Sequence, residues 1–193
     1  MKFAHSVVAA AVSLGFCTAA FAQAGTVQRD VNQQQRIEQG LQSGQLNTRE
    51  AARLENEESR VERDQSRAMK DGKLTAQEKA RLSREQNQVS RDIYREKHDA
   101  QTGNPNSASS QRMQADVQRN VNQQQRIEQG VRSGSLTNRE TAKLERGEAR
   151  IDKAEARAGA NGNLNAREQR RIQKAENRES RRIHREKHDA QSK

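Results

Sequence analysis

The stretch DGKLTAQEKARL, residues 71–82, carries the signals that end one helix and begin the next. Gly72 can adopt the left-handed backbone conformation in which many helices end. Thr75 is a favoured N-cap residue, and Glu78 three positions later completes a capping box with its backbone. We expect Leu74, between the glycine and the cap, to anchor the turn in the core. The stretch therefore predicts two helices joined by a tight turn.

The same frame of Gly, any residue, Leu, Asn or Thr, two further residues and Glu occurs four times. The glycines are Gly44, Gly72, Gly134 and Gly162, the N-caps are Asn47, Thr75, Thr137 and Asn165, and the glutamates are Glu50, Glu78, Glu140 and Glu168. The segments between these turns are rich in Glu, Gln, Arg, Lys and Ala, which are good helix formers. The chain is therefore predicted to be all-α, with Gly-x-Leu-Asn/Thr-x-x-Glu capping turns between its helices.

These stretches also resemble the second half of a calcium-binding EF-hand loop. With Gly72 at the sixth loop position and Glu78 at the twelfth, Arg67 falls at the first position and Met69 at the third. Both of those positions need side-chain oxygens. The third position in the other three stretches is Leu41, Val131 or Gly159. The resemblance is therefore to degenerate EF-hand loops, and we expect capping turns rather than working calcium sites.

Longer identical segments reveal a tandem duplication. VNQQQRIEQG occurs at 31–40 and 121–130, and REKHDAQ occurs at 95–101 and 185–191. Both pairs are 90 residues apart, and the register holds between them without a gap. In these repeated segments the chain resembles uncharacterised exported helical tandem-repeat proteins of Gram-negative bacteria. That resemblance implies an exported helical protein and carries no activity.

The stretch between the two copies contains the only proline, Pro105, among Gly, Asn and Ser, which is typical of a flexible linker. The sequence thus predicts a helical unit at 23–101, a linker at 102–116 and a second helical unit at 117–193. Each unit of about 75 residues should contain three helices. In the first unit these are expected at 28–43, 48–70 and 76–99, with equivalents 90 residues later.

The composition alone would favour disorder. From residue 23 onward the chain has 24 large apolar side chains and no Phe or Trp, and its net charge is about +9 once Lys2 is removed. The two copies nevertheless keep apolar residues at equivalent positions, such as Leu54 and Leu144. An exception is Val89, whose equivalent is Glu179. We therefore expect each copy to fold around a thin core.

The first 22 residues have the features of a secretory signal peptide. A lysine precedes an apolar stretch, and Ala20 and Ala22 form an A-x-A cleavage site. Cleavage near Ala22 would leave a periplasmic or secreted protein. It would also remove Cys17, the only cysteine, so no disulfide or thiolate metal site is expected. No later segment has the roughly 20 apolar residues that a transmembrane helix needs.

Two histidines form the candidate metal site. His184 and His188 are four residues apart, so on a helix both imidazole rings could reach one Zn²⁺, Cu²⁺ or Ni²⁺ ion. The first copy has Tyr94 in place of His184. The alternative is two solvated histidines on a helix surface, and no bound cofactor is predicted.

The last predicted helix concentrates positive charge at Arg178, Arg181, Arg182, Arg185 and Lys187. Such a helix can bind anionic polymers or lipopolysaccharide by neutralising phosphates. The expected location and the absence of aromatic stacking residues disfavour nucleic acid. Acidic residues are interleaved with the arginines, so a solvated helix surface is the alternative.

No nucleophile motif, phosphate-binding loop or dinucleotide fingerprint is present, and so few apolar residues cannot easily enclose a dry pocket. An enzyme is the class that the sequence disfavours most. Three classes remain. The first is an envelope binding or stress-related protein with an anionic partner. The second is a periplasmic metal-binding protein that uses His184, His188 and interspersed carboxylates, or sites derived from EF-hand loops. The third is a structural module that folds in an oligomer.

Overall fold

The protein's structure, a computed structural model, describes residues 16–189, with side chains from residue 23 onward. Residues 1–15 of the predicted signal peptide lie outside the described residues. In the described part the chain forms six helices and no strand, as the sequence predicted for an all-α fold. The helices are α1 (Phe16–Ser43), α2 (Thr48–Ala68), α3 (Ala76–Lys97), α4 (Ala108–Arg132), α5 (Asn138–Gly159) and α6 (Ala166–His188). None of them combines the length and apolar character required to cross a membrane.

The four turns have one geometry. At the start of α2, the Asn47 side chain accepts hydrogen bonds from the backbone N–H groups of Arg49 and Glu50, and Glu50 Oε2 accepts one from Asn47 N at 2.9 Å. Thr75, Thr137 and Asn165 form equivalent capping boxes. The four turn glycines have φ values between +71° and +90°, which residues with a Cβ rarely adopt.

The leucines of the four turns are not all buried, although each was expected to anchor its turn in the core. Leu46, Leu136 and Leu164 are buried, whereas Leu74 is only half-buried. The turn that contains Leu74 is therefore more open than the other three.

Helices α2 and α5 pack against each other along their length and run antiparallel. Ser59 Oγ donates to the carbonyl of Ala149 at 2.9 Å, and Ser66 Oγ donates to that of Ala142 at 2.7 Å. Ala149 is the repeat equivalent of Ser59. A pseudo-twofold axis that relates the two copies therefore passes between these two residues.

Helices α1 and α4 complete a central four-helix bundle, and α3 and α6 lie on its outside. The outer helices are attached by equivalent contacts in the two copies. Arg36 Nη2 donates to the carbonyl of Ser90 at 3.0 Å, and Arg126 Nη2 donates to that of Ser180 at 3.0 Å.

The apolar core lies at both ends of the bundle and is shared by the copies. One cluster joins Ile37 and Leu41 of α1 to Met113 and Val117 of α4. In the other cluster the beginning of α1 meets the end of α4, through Ala24, Val27, Ile127 and Val131. The expected thin core within each copy is thus a core formed between copies.

The segment after the first copy also differs from the expected flexible linker at 102–116. Ser107 caps α4 by accepting from Ser110 N at 3.1 Å, and the helix begins at Ala108. Met113 is fully buried in the shared core. Residues 108–116 are helical because this apolar side chain has a partner on α1, which the polar composition of the segment conceals.

Candidate functional site

Acidic residues follow one face of α2 and one face of α5. Glu55, Glu58 and Glu62 are spaced by three and four residues, the spacing that places side chains on one seam of a helix. The corresponding residues of α5 are Glu145, Glu148, Asp152 and Glu155. All seven side chains are at most 1% exposed. We call these seven residues the core carboxylate layer.

Amide side chains of α1 and α4 contact this layer. Gln34 Nε2 donates to Glu55 Oε2 at 3.0 Å, and Gln124 Nε2 donates to Glu62 Oε1 at 2.7 Å. Gln124 Nε2 also lies 3.4 Å from Glu145 Oε2, which is the repeat equivalent of the bond between Gln34 and Glu55. Both glutamines belong to the repeated VNQQQRIEQG segment. Their contact with the layer accounts in part for the identity of this segment in the two copies.

A second pair has exchanged its acid and its amide between the copies. In the first copy Gln65 Nε2 donates to Asp30 Oδ2 at 2.8 Å, and in the second Asn120 Nδ2 donates to Glu155 Oε2 at 2.9 Å. Asn120 is the equivalent of Asp30, and Glu155 is the equivalent of Gln65. Each pair keeps one donor and one acceptor, as buried polar side chains require.

The layer has no positive side chain to balance it. Within residues 23–189, none of its seven carboxyl groups forms an ion pair. Burial raises the pKa of Glu55 to about 7, and burial followed by repulsion from neighbouring carboxylates raises the pKa of Glu58 and Glu148 well above the usual range. Burial followed by repulsion from Asp152 raises the pKa of Glu62 well above the usual range, and burial followed by repulsion from Glu55 does the same for Asp152. Near neutral pH, the layer therefore needs bound protons or another positive charge.

Several oxygens of the layer accept no hydrogen bond. Both carboxyl oxygens of Glu58 and of Glu148 are buried without a partner, as is one oxygen each of Glu55, Asp152 and Glu155. An unsatisfied buried polar group costs about 1–3 kcal/mol. Such groups call for a specific explanation, and a bound ion is one that would satisfy several at once.

The tightest group in the layer consists of Glu55, Asp152 and Glu155. Each offers one oxygen, and the three oxygens lie within 4.8 Å of one another. Oxygens bound to one Ca²⁺ at about 2.3–2.6 Å can be this far apart, so a single ion could contact all three. An all-oxygen set suits Mg²⁺, Ca²⁺ or Mn²⁺. Asn120 Nδ2 lies 3.3 Å from Asp152 Oδ1 and 2.9 Å from Glu155 Oε2, so it orients two of the three carboxyl groups.

Two further carboxyl groups extend the acidic region toward α6. Burial raises the pKa of Asp116 to about 7, and burial followed by repulsion from Asp116 raises the pKa of Glu176 to about 8. Arg119 Nη1 lies 3.3 Å from Glu176 Oε2 and lowers that pKa in part. This side of the layer therefore has some of the positive charge that its centre lacks.

The predicted histidine pair lies on the exposed surface of α6. The rings of His184 and His188 stack with their centroids 4.3 Å apart, and His188 Nδ1 is 2.7 Å from the carbonyl oxygen of His184. Tyr94 and His98 form the same stack at 4.1 Å in the first copy, where the first ring cannot bind a metal. Among the described residues, the groups of three or more side chains placed to share an ion contain carboxylates only.

The predicted basic residues are divided between two environments. Arg178, Arg181 and Arg185 are exposed on one face of α6, spaced by three and four residues. Arg182 is half-buried and bonded to Glu179 Oε2 at 3.0 Å. Lys187 is also half-buried, and burial followed by the nearby Arg126 lowers its pKa. Three of the five predicted residues thus form a continuous exposed set.

The core carboxylate layer was absent from the sequence predictions, although the sequence contains a signal for it. In a solvated helix, acidic residues usually have a Lys or Arg three or four positions away. None of Glu55, Glu58 and Glu62 has one, and the same holds for the four acidic residues of α5. Acidic residues at seam spacing without basic neighbours indicate a buried acidic face.

No protein-family model, curated protein or solved structure matches this chain.

Proposed function

We propose that this chain is an exported, non-enzymatic protein that binds hard divalent cations in the interior of its helical bundle. Glu55, Asp152 and Glu155 would supply the ligand oxygens, and Glu58, Glu62, Glu145 and Glu148 would supply further negative charge. The predicted signal peptide supports a periplasmic or secreted location. This assigns the metal-binding role to core carboxylates rather than to His184 and His188.

One observation supports this proposal above all: seven buried carboxyl groups share a layer that contains no basic side chain within the described residues. A buried carboxylate without compensation is strongly unfavourable, so the group either takes up a proton or finds a cation. Glu55, Asp152 and Glu155 favour the cation, because each has an oxygen without a hydrogen-bond partner and the three side chains are close enough for one ion to contact them all. Deprotonation on binding would make cation affinity increase with pH.

The test is calorimetric titration of the chain from Gln23, freed of metal by dialysis, with Mg²⁺, Ca²⁺ and Mn²⁺ at pH 7.5. Titrations in two buffers of different ionisation enthalpy would measure proton release. We expect saturable binding of at least one ion, with release of protons. Replacing Glu55 by Gln together with Asp152 by Asn keeps the shapes of the side chains and should weaken that binding at least about tenfold.

Glu78→Gln is the matched control, because Glu78 is a half-buried capping residue outside the layer. It should bind as the unchanged protein does. The proposal is wrong if none of the three ions binds, or if the Glu55 and Asp152 double variant binds as tightly as the parent while retaining its helical circular dichroism.

A second candidate function is the binding of an anionic polymer or lipopolysaccharide by α6. The exposed Arg178, Arg181 and Arg185 continue a row that includes Arg171 and Lys174, at intervals of three and four residues. In the first copy the equivalent of Arg178 is Gln88, which interrupts the row. An unbroken row of exposed cations on one helix face favours a polyanion bound along α6.

Affinity for heparin and for lipopolysaccharide across a salt series would test this second function. Arg178→Gln, which reproduces the residue of the first copy, combined with Arg181→Gln should weaken binding and flatten its dependence on salt. Arg91→Gln combined with Arg95→Gln, in the interrupted row, should have a smaller effect. Equal effects of the two pairs, or affinity that survives high salt, would rule out α6 as the binding surface.

A further inference from the structure

The segment REKHDAQ is identical in the two copies although most of it is exposed. Arg95, His98 and Asp99 are exposed and Glu96 is half-buried, with the same pattern 90 residues later. Packing does not account for this identity, since exposed polar residues elsewhere have diverged, as Asp71 and Asn161 have. The identity of the two segments therefore indicates that their exposed side chains have a role at the surface.

Each copy brings two carboxylates of this segment to the capping glutamate of an adjacent helix. In the first copy Glu96 and Asp99 meet Glu50, and each offers one oxygen within 4.8 Å of the other two. In the second copy the group consists of Glu186, Asp189 and Glu140, each 90 residues from its counterpart. The same three-carboxylate group thus occurs twice, at pseudo-symmetric positions.

The capping glutamate in each group has a free buried oxygen. Glu50 is 1% exposed and Glu140 is 2% exposed. Their Oε2 atoms accept the capping bonds from Asn47 N and Thr137 N. Their Oε1 atoms are buried without any hydrogen-bond partner. A buried acceptor beside two further carboxylates lacks a positive partner, and a cation could provide one.

The surroundings favour a cation over the existing side-chain partners. Glu96 and Asp99 lie at the end of α3, where the unpaired carbonyls of the helix carry partial negative charge. Arg53 reaches Glu96 only at 3.8 Å with more than half of its side chain exposed, so a bound ion can displace this weak pair.

A polar cleft of about 380 Å³ next to Glu50 leaves room for the remaining ligands of an ion. Its lining contains Glu50, the oxygen-bearing side chains of Gln101, Thr102 and Asn104, and also Arg49 and Arg53. Their side-chain oxygens, and water in the cleft, could complete an irregular coordination shell. Ca²⁺ accepts six to eight oxygens in flexible geometry, whereas Mg²⁺ demands a near-ideal octahedron.

We propose that Glu50, Glu96 and Asp99 form a Ca²⁺ site at one end of the molecule, and that Glu140, Glu186 and Asp189 form its equivalent at the other end. These sites are separate from the core carboxylate layer, and the proposal does not depend on it. The capping turn contributes its last glutamate to each site. The other ligands come from the REKHD segment and not from an EF-hand loop.

Terbium luminescence can test the first site selectively, because the protein has one Tyr and no Trp. Tb³⁺ occupies Ca²⁺ sites, and its emission is sensitised by a nearby tyrosine. Tyr94 lies on α3 two residues before Glu96, and its counterpart in the second copy is His184. We expect saturable Tb³⁺ emission on excitation of Tyr94, and Ca²⁺ should reverse it by competition.

Glu96→Gln combined with Asp99→Asn should lower the affinity measured by this emission at least about tenfold. Glu186→Gln combined with Asp189→Asn should leave the emission unchanged but remove one Ca²⁺ from the stoichiometry found by calorimetry. Asp71→Asn, which reproduces the residue of the second copy, should change neither quantity. Emission that is absent from the parent protein, or unaffected by the Glu96 and Asp99 changes, would overturn the proposal.

The Glu55 and Asp152 double variant of the core layer separates the two proposals. It should retain the Tyr94-sensitised emission even where it loses an interior cation. Loss of that emission in the core variant, with helical circular dichroism retained, would show that the Tb³⁺ signal comes from the interior and would contradict the end sites.

Discussion

Glu55, Glu58 and Glu62 occupy seam positions at which a helical bundle usually carries Leu, Ile or Val. The composition showed that apolar residues were too few to fill a core, but not which polar residues would replace them. That choice depends on the partner helix: the α2 seam is buried only because α5 presents an acidic seam of its own. A pairing between segments about 90 residues apart cannot be deduced from either segment alone.

At the residue scale, the exchanged acid and amide pair provides a direct test of the buried layer. Gln65→Glu alone places a second carboxyl group against Asp30, which Gln65 now contacts at 2.8 Å. It should destabilise the protein at pH 7.5. Adding Asp30→Asn recreates the arrangement of Asn120 and Glu155 and should recover much of the loss. We expect a coupling free energy of about 0.5–3 kcal/mol from the urea-unfolding cycle. Additive effects would show that the two side chains do not interact.

At the element scale, helix positions were the best predicted part of the fold. The expected starts at 48 and 76 agree with those of α2 and α3, because the cap and its glutamate lie within four residues of each other and need no tertiary partner. The start of α4 was missed. Its cap, Ser107, has no glutamate at the third helical position, and its first apolar contact, Met113, depends on α1.

The capping turns can be tested at Thr75, the most exposed of the threonine caps. Thr75 Oγ1 accepts from Glu78 N at 3.2 Å, so Thr75→Ala should lower the free energy of unfolding by about 1 kcal/mol. Thr75→Ser keeps the acceptor and is the matched control. Urea unfolding followed by circular dichroism would measure both variants. An alanine variant as stable as the serine variant would mean that this cap contributes nothing to the fold.

At the scale of the whole molecule, the buried carboxyl groups make stability depend on pH. Burial raises the pKa of Asp30, Glu55 and Asp116 to about 7 and that of Glu176 to about 8. Unfolded carboxyl groups titrate near pH 4, so between about pH 4 and 8 the folded state binds more protons than the unfolded state. The stability of the metal-free protein should therefore decrease as the pH rises through this window.

Urea unfolding at pH 5, 6, 7 and 8 after removal of metal would measure this decrease. If cations bind in the core, adding the ion identified by calorimetry should reduce the loss at pH 8, since the ion replaces protons there. The prediction fails if the metal-free protein is equally stable at pH 5 and pH 8, or is more stable at pH 8.

The packing of the two copies predicts how the chain behaves when it is divided. The sequence led us to expect two copies that fold independently, but Met113 and Val117 of α4 are buried against α1, and α2 covers the seam of α5. A fragment of residues 23–106 would expose Leu41 and the acidic seam together. Because the copies are related by a pseudo-twofold axis, a single copy can cover that face only with another copy of the same kind.

Fragments 23–106 and 107–193 should each be weakly helical or self-associated, whereas an equimolar mixture should form a one-to-one complex with the circular dichroism of the intact chain. Sedimentation of each fragment and of the mixture would decide this, and two monomeric, fully helical fragments would show that each copy folds alone.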